Sequence, residues 1–241
     1  MAEAAVELFT QKAIECADRQ ETTFHFENNF DLTAIPVSIK VLRPCVEIVH
    51  INNCFQVREL HPGVGDLTKL RWLNVSYNQL VSLPAEVSRL RYLERLYASN
   101  NSLESLPLEL WQLKGLEELH VDNNRIRAFP TGILFLPKLR EVLLENNPLL
   151  TREEADGAEV ALLFPPVRIG DCSSCCIRFT NSQCFVSFHT LAQHRHVPIV
   201  HYVCSDRCKE QLKLKLDDYD RAVHEAEVKA ISPLKSESLL S

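Results

Sequence analysis

The chain has 241 residues, 46% hydrophobic and 24% charged, with a formal net charge of -6. That is ordinary globular composition, and without a long basic run it disfavours general nucleic-acid binding, because phosphate contacts need clustered Lys and Arg. No apolar run is long enough for a transmembrane helix, and the N-terminus has neither a secretory apolar core nor an early Arg cluster, so a cytoplasmic protein is expected, with the nucleus as the alternative.

In chain order, residues 3–20 read as a helix, with Ala5, Val6, Leu8, Phe9, Ala13, Ile14 and Ala17 apolar. This segment, residues 1–21, is expected to cap the open end of whatever follows.

Residues 22–150 repeat. Asn78, Asn101, Asn124 and Asn147 recur at a spacing of 23, each inside the same leucine grid. One unit reads Leu67, Leu70, Leu73, Val75, Asn78, Leu80, Leu83, Pro84, and the next two follow it position by position. The fourth breaks at Pro148. Two weaker units precede these, one with Val49, Ile51 and Cys54 and one with Phe24, Phe26 and Asn29. The pattern is that of a leucine-rich repeat, in which each unit cannot bury its leucines alone and stacking creates the core. The predicted fold is an α/β solenoid, a leucine-rich-repeat horseshoe of about six repeats with a helical N-terminal cap. It resembles the LP-type repeats of intracellular proteins such as Ras-suppressor-like scaffolds. That resemblance implies the fold, and it implies protein binding only in general terms.

The outward positions of the predicted strands fall into columns. One holds Ile48, Trp72, Arg95, Glu118 and Glu141. The next holds His50, Asn74, Tyr97, His120 and Leu143. A third holds Asn52, Ser76, Ser99, Asp122 and Glu145. An exposed Trp beside an exposed Tyr is the usual make-up of a binding hot spot. Carboxylates nearby favour a basic partner. Trp72, Asn74, Arg95, Tyr97, Glu118, His120, Asp122 and Glu141 are therefore the expected contact residues for a protein partner.

After Asn147 the composition shifts. Residues 151–167 read as a short helix and a connector. Six of the nine cysteines lie between Cys172 and Cys208, and four of the nine histidines between His189 and His201. Cys172-x2-Cys175 and Cys204-x3-Cys208 suit a tetrahedral structural zinc. Between them lie strand-like runs, CIRFT and CFVSFHT around an NSQ turn, then VPIVHYV. His194 and His196 fall in an expected solvated loop. A helix follows through about Glu225, with Ser205 or Asp206 placed to cap it. Knuckle, hairpin and ligand-bearing helix make a small treble-clef-like zinc module over residues 168–230. YVCSDRC is similar to the ending of treble-clef fingers of the MYND type. That resemblance implies Zn(2+) held by Cys172, Cys175, Cys204 and Cys208. A second zinc would draw on Cys176, Cys184, His189, His194, His196 and His201, whose spacing is not diagnostic. Residues 231–241 are Ser-rich and expected to be disordered.

No GxSxG, HExxH or phosphate loop is present, a four-Cys zinc has no open coordination position, and the βαβ context of a thioredoxin CxxC is absent. A non-enzymatic scaffold is expected, with the zinc module capping or extending the end of the solenoid, and with neither a small-molecule substrate nor a membrane among its partners. Two other readings stay open. Repeats followed by cysteine pairs resemble a group of animal leucine-rich-repeat proteins, relatives of which are thought to be substrate receptors of cullin ubiquitin ligases. Zinc modules also occur in ribonucleoprotein assembly factors, for which Arg168, Arg178, Arg195, Arg207, Lys209, Lys213 and Lys215 would supply the basic contacts.

Overall fold

The computed structural model describes residues 1–156, 170–171, 173, 178–179, 183–203 and 205–231. It divides into two compact units: residues 1–150 with Leu191–His194, and residues 151–190 with 195–241.

The first unit opens with α1 (Ala2–Asp18), which buries Ala5, Phe9, Ala13 and Cys16. The Phe9 ring packs against Phe24 and Phe26 at 5.3 and 4.9 Å, which closes the first coil. Val6, Leu8 and Ile14, expected among its apolar positions, are exposed. The buried face follows 5, 9, 13 and 16, one helical stripe, and these three residues lie off it. Cys16 completes that stripe.

Six three-residue strands follow: β1 (Thr23–His25), β2 (Ile48–His50), β3 (Trp72–Asn74), β4 (Arg95–Tyr97), β5 (Glu118–His120) and β6 (Glu141–Leu143). They form one parallel sheet in sequence order. The middle residues Phe24, Val49, Leu73, Leu96, Leu119 and Val142 align across it and are buried. Both irregular early units are therefore genuine coils. Each chain returns on the convex side through a short 3-10 helix: Val37–Leu42, Pro62–Asp66, Ala85–Arg89, Leu108–Gln112 and Thr131–Phe135. These turns stack so closely that a Cβ on Gly65 would lie 2.3 Å from the Glu86 carbonyl oxygen.

The ladder asparagines tie consecutive coils together. Asn124 accepts a hydrogen bond from the Leu103 amide at 2.9 Å and donates to the carbonyls of Ala98 and Val121 at 2.9 and 3.0 Å. Asn78, Asn101 and Asn147 repeat this pattern. Cys54 supplies the donor half through its thiol, which faces the carbonyls of Phe26 and Asn52, and its sulfur also takes a backbone contact from Asn29.

The residue before each ladder position is left-handed: Asn28, Asn53, Tyr77, Asn100, Asn123 and Asn146 all have φ between 54° and 58°. Five of these six are Asn, the non-glycine residue best suited to that region. This explains the doublets Asn28-Asn29, Asn100-Asn101, Asn123-Asn124 and Asn146-Asn147.

The second unit begins with α2 (Arg152–Asp156). Gly170–Asp171 pairs antiparallel with Arg178–Phe179. A long hairpin follows, β7 (Gln183–Leu191) with β8 (His194–Val203), and then α3 (Asp206–Ile231). The expected NSQ turn lies largely outside the described residues; among these, Arg178–Phe179 has the earlier segment Gly170–Asp171 as its partner. The tight turn falls at Ala192, whose φ is 49°, between two longer β-rich runs. His194 and His196 accordingly sit in β8 rather than in a loop. Ser205 caps α3, its hydroxyl accepting from the Cys208 amide at 3.3 Å.

Candidate functional site

The strand columns meet on the outward face of the sheet. Trp72, Arg95, Glu118 and Glu141 are direct neighbours in one row, and Asn74, Tyr97 and His120 in the next. A continuous ladder of rings crosses the strands. His25 stacks on His50 at 4.9 Å, His50 meets Trp72 edge-on at 4.7 Å, Trp72 meets Tyr97 edge-on at 5.5 Å, and Tyr97 stacks on His120 at 4.0 Å. The Arg95 guanidinium lies 5.4 Å from the Trp72 ring centre. Rings in such contact are held in place at low entropic cost. Because they cover one another, Trp72 and Tyr97 are half-buried rather than fully exposed. The Trp72 indole nitrogen is covered and has no hydrogen-bond partner.

The carboxylates divide into two kinds. Glu118 is engaged on all sides: by the Tyr97 hydroxyl at 2.5 Å, by Arg95 at 3.3 Å and by Arg140 at 3.3 Å. Its side chain is 13% exposed. The hydrogen bond from Tyr97 and the two guanidiniums hold its carboxyl below the usual range against the opposing effect of burial. Burial, together with that same bond, pushes the Tyr97 hydroxyl up to about 12. Glu118 is thus also a strut inside the face, held by Tyr97, Arg95 and Arg140. Asp122 is likewise held, by the Ser99 hydroxyl and by the Asn123 amide at 2.6 Å. Glu141 differs. It touches His120 at 3.2 Å, yet its side chain is 49% exposed. Glu145 is 55% exposed.

Glu118, His120 and Glu141 bring ligand atoms within 4.8 Å of one another, and no other such trio of His, Cys, Asp or Glu occurs among the described residues. With the Glu118 charge already neutralised by two arginines, this cluster has little need of a cation.

Of the expected zinc ligands, Cys172, Cys175 and Cys204 lie outside the described residues, as does Cys176. Cys208 is described, in the first turn of α3 with its side chain buried. Cys184 is half-buried, and burial raises its thiol pKa, which disfavours the thiolate.

The histidines grouped with Cys184 are organised differently. His189 meets the Asp220 carboxylate through Nδ1 at 2.9 Å and the Ser187 hydroxyl through Nε2 at 2.6 Å. The same hydroxyl meets His201 Nε2, also at 2.6 Å. One proton arrangement satisfies the whole chain: His189 donates to Asp220, Ser187 donates to His189, and His201 donates to Ser187. The spacing is that of a nucleophile with its base and orienting carboxylate. Here, however, buried imidazoles occupy the hydroxyl from two sides, so its role is to tie β7, β8 and α3 together. Tyr219 adds a bond from its hydroxyl to the Thr190 carbonyl at 2.8 Å. His196 instead faces Arg152 at 3.3 Å.

The leucine-rich repeat region family matches residues 23–154, more than half of the sequence. The chain belongs to that family. No curated protein matches it. Among solved structures it is similar to a leucine-rich-repeat protein of Leptospira interrogans, at 24% identity over 62% of this chain and 43% of that one, with a TM-score of 0.43. It is also similar to YopM from Yersinia enterocolitica, at 28% identity over 60% of this chain and 29% of that one, with a TM-score of 0.49. A third is the ectodomain of the receptor kinase SOBIR1 from Arabidopsis thaliana, at 23% identity over 53% and 71%, with a TM-score of 0.45. The chain thus spans less than half the length of the first two. No helix among its described residues is long and apolar enough to cross a membrane.

Proposed function

We propose that this leucine-rich-repeat protein is a non-enzymatic adaptor that binds a protein partner on the sheet face built by β1 to β6. The observation that supports the reading is the ring ladder from His25 to His120, pre-ordered across five strands. Parallel solenoids use this type of extended surface for recognition, and a rigid Trp–Tyr pair supplies large contact area with little left to order on binding. The test is affinity capture with the full chain, comparing wild type with Trp72→Ala/Tyr97→Ala. Loss of a hot-spot pair is expected to weaken the captured complex by at least about 30-fold, or about 2 kcal/mol. Unchanged capture by a double variant that unfolds like wild type would remove this face as the binding site.

The same reading includes a structural zinc held by Cys172, Cys175, Cys204 and Cys208. Support comes from the two pairs of thiols and from Cys208, which lies in the first turn of a capped helix where amide dipoles favour a thiolate. Metal analysis of purified protein is expected to give about one equivalent of zinc, and Cys172→Ser is expected to lose it together with the folded second unit. Under about half an equivalent from a folded sample would rule the site out.

A further inference from the structure

The struts within the face indicate what kind of segment it accepts. Glu118 and Asp122 are consumed by Tyr97, Arg95, Arg140, Ser99 and Asn123. The neighbouring cation Arg140 is in turn held by Glu117 and Glu118. What remains open to a visitor is a half-buried aromatic surface at Trp72 and Tyr97 and, further along the Trp72 row, the exposed Glu141 carboxylate; Glu145, in another column, already faces His194 at 3.9 Å and accepts from the Leu144 amide.

We infer that this face selects an extended protein segment that carries an apolar or aromatic side chain and, about four residues away, a lysine or arginine. Trp72 and Glu141 occupy the same row of the sheet, three strand steps apart. At about 4.8 Å per strand that row spans about 14 Å, and an extended chain advances about 3.3 Å per residue, so about four residues cover it. The apolar residue lies on the rings, where Trp72 and Tyr97 already meet edge-on. The cation pairs with Glu141, whose present contact is the His120 ring. A cation at the Trp72 end would instead meet Arg95, which lies over that ring. The charge pattern therefore separates the two ends of the segment. The unpaired Trp72 indole N–H adds a donor that a ring rotation would offer to a backbone carbonyl of the visitor.

This inference rests on the sheet-face reading, and its test separates the two. A displayed library of random octapeptides is selected on the full chain and counter-selected on Trp72→Ala/Tyr97→Ala. Enriched peptides are expected to pair an aromatic or large apolar residue with Lys or Arg at a spacing of about four, and Glu141→Lys is expected to weaken them by about ten-fold or more, with an effect that shrinks as salt rises. Enrichment of peptides that need Trp72 and Tyr97 but carry no spaced cation, or that ignore Glu141→Lys, would overturn the inference and leave the binding face standing. Failure to enrich anything over the counter-selected chain would count against the face itself and, with it, this inference.

Discussion

Asn124→Ala is expected to destabilise the repeat unit by about 3–5 kcal/mol, because it strands several buried backbone groups at once. The Leu103 amide loses its acceptor, and the carbonyls of Ala98 and Val121 lose their donor. An ordinary surface asparagine would cost a few tenths. Urea unfolding followed by fluorescence reads the effect, since Trp72 and Trp111 both lie in this unit. Asn124→Cys is expected to lose less, since Cys54 shows that a thiol retains the donor half of the arrangement. A loss below about 1 kcal/mol for the alanine variant would mean that water replaces the side chain and that the ladder is not a main source of inter-coil cohesion.

The second unit is expected to be acid-sensitive through His201. Its imidazole is fully buried, and burial, with His189 beside it, holds the pKa down to about 3, from 6.5 for an exposed histidine. The folded state therefore keeps it neutral while the unfolded chain takes up a proton. Stability is complete above about pH 6.5 and falls as the pH drops towards 3, where the folded residue titrates too. At pH 4.5 the deficit is about 3 kcal/mol, two pH units at 1.36 kcal/mol each. Hydrogen exchange over β8 is the appropriate probe, because it reports this unit without contribution from the two tryptophans. Protection in wild type is expected to fall between pH 6.5 and 4.5. His201→Gln retains a donor for Ser187 and is expected to flatten that dependence. An equally steep loss in the variant would place the acid sensitivity elsewhere.

Much of the first unit was readable because its physics is local and repeated. Leu73, Leu96 and Leu119 recur at one spacing, so a single inward position defines them all. The strand columns through Trp72 and Tyr97 follow once the asparagine register is known. Other features needed the fold. The doublets of asparagine were visible, but their first members serve a left-handed backbone that only the coil geometry reveals. Glu118 reads in the chain as one carboxylate among four, and its capture depends on β4, which carries both Tyr97 and Arg95, and on Arg140 just before β6. His25 and His50 extend the ring ladder only because β1 and β2 stack beneath β3.

The second unit shows the same division more sharply. Helix α3 and its Ser205 cap are local, and both were legible. The pairing of Arg178–Phe179 with Gly170–Asp171 was not, because strand pairing is a competition among segments of similar β character. Likewise His189, His201 and Asp220 are separated by up to 31 residues. By itself, the amino-acid order determined the solenoid, its repeat length, its buried leucines and the residues of its outward columns, since each of these is set by short-range period. Only the tertiary structure decided which charges are spent within the face and which remain open, and that the module's histidines close on a serine hydroxyl. Both depend on distances between side chains brought together from separate coils or strands.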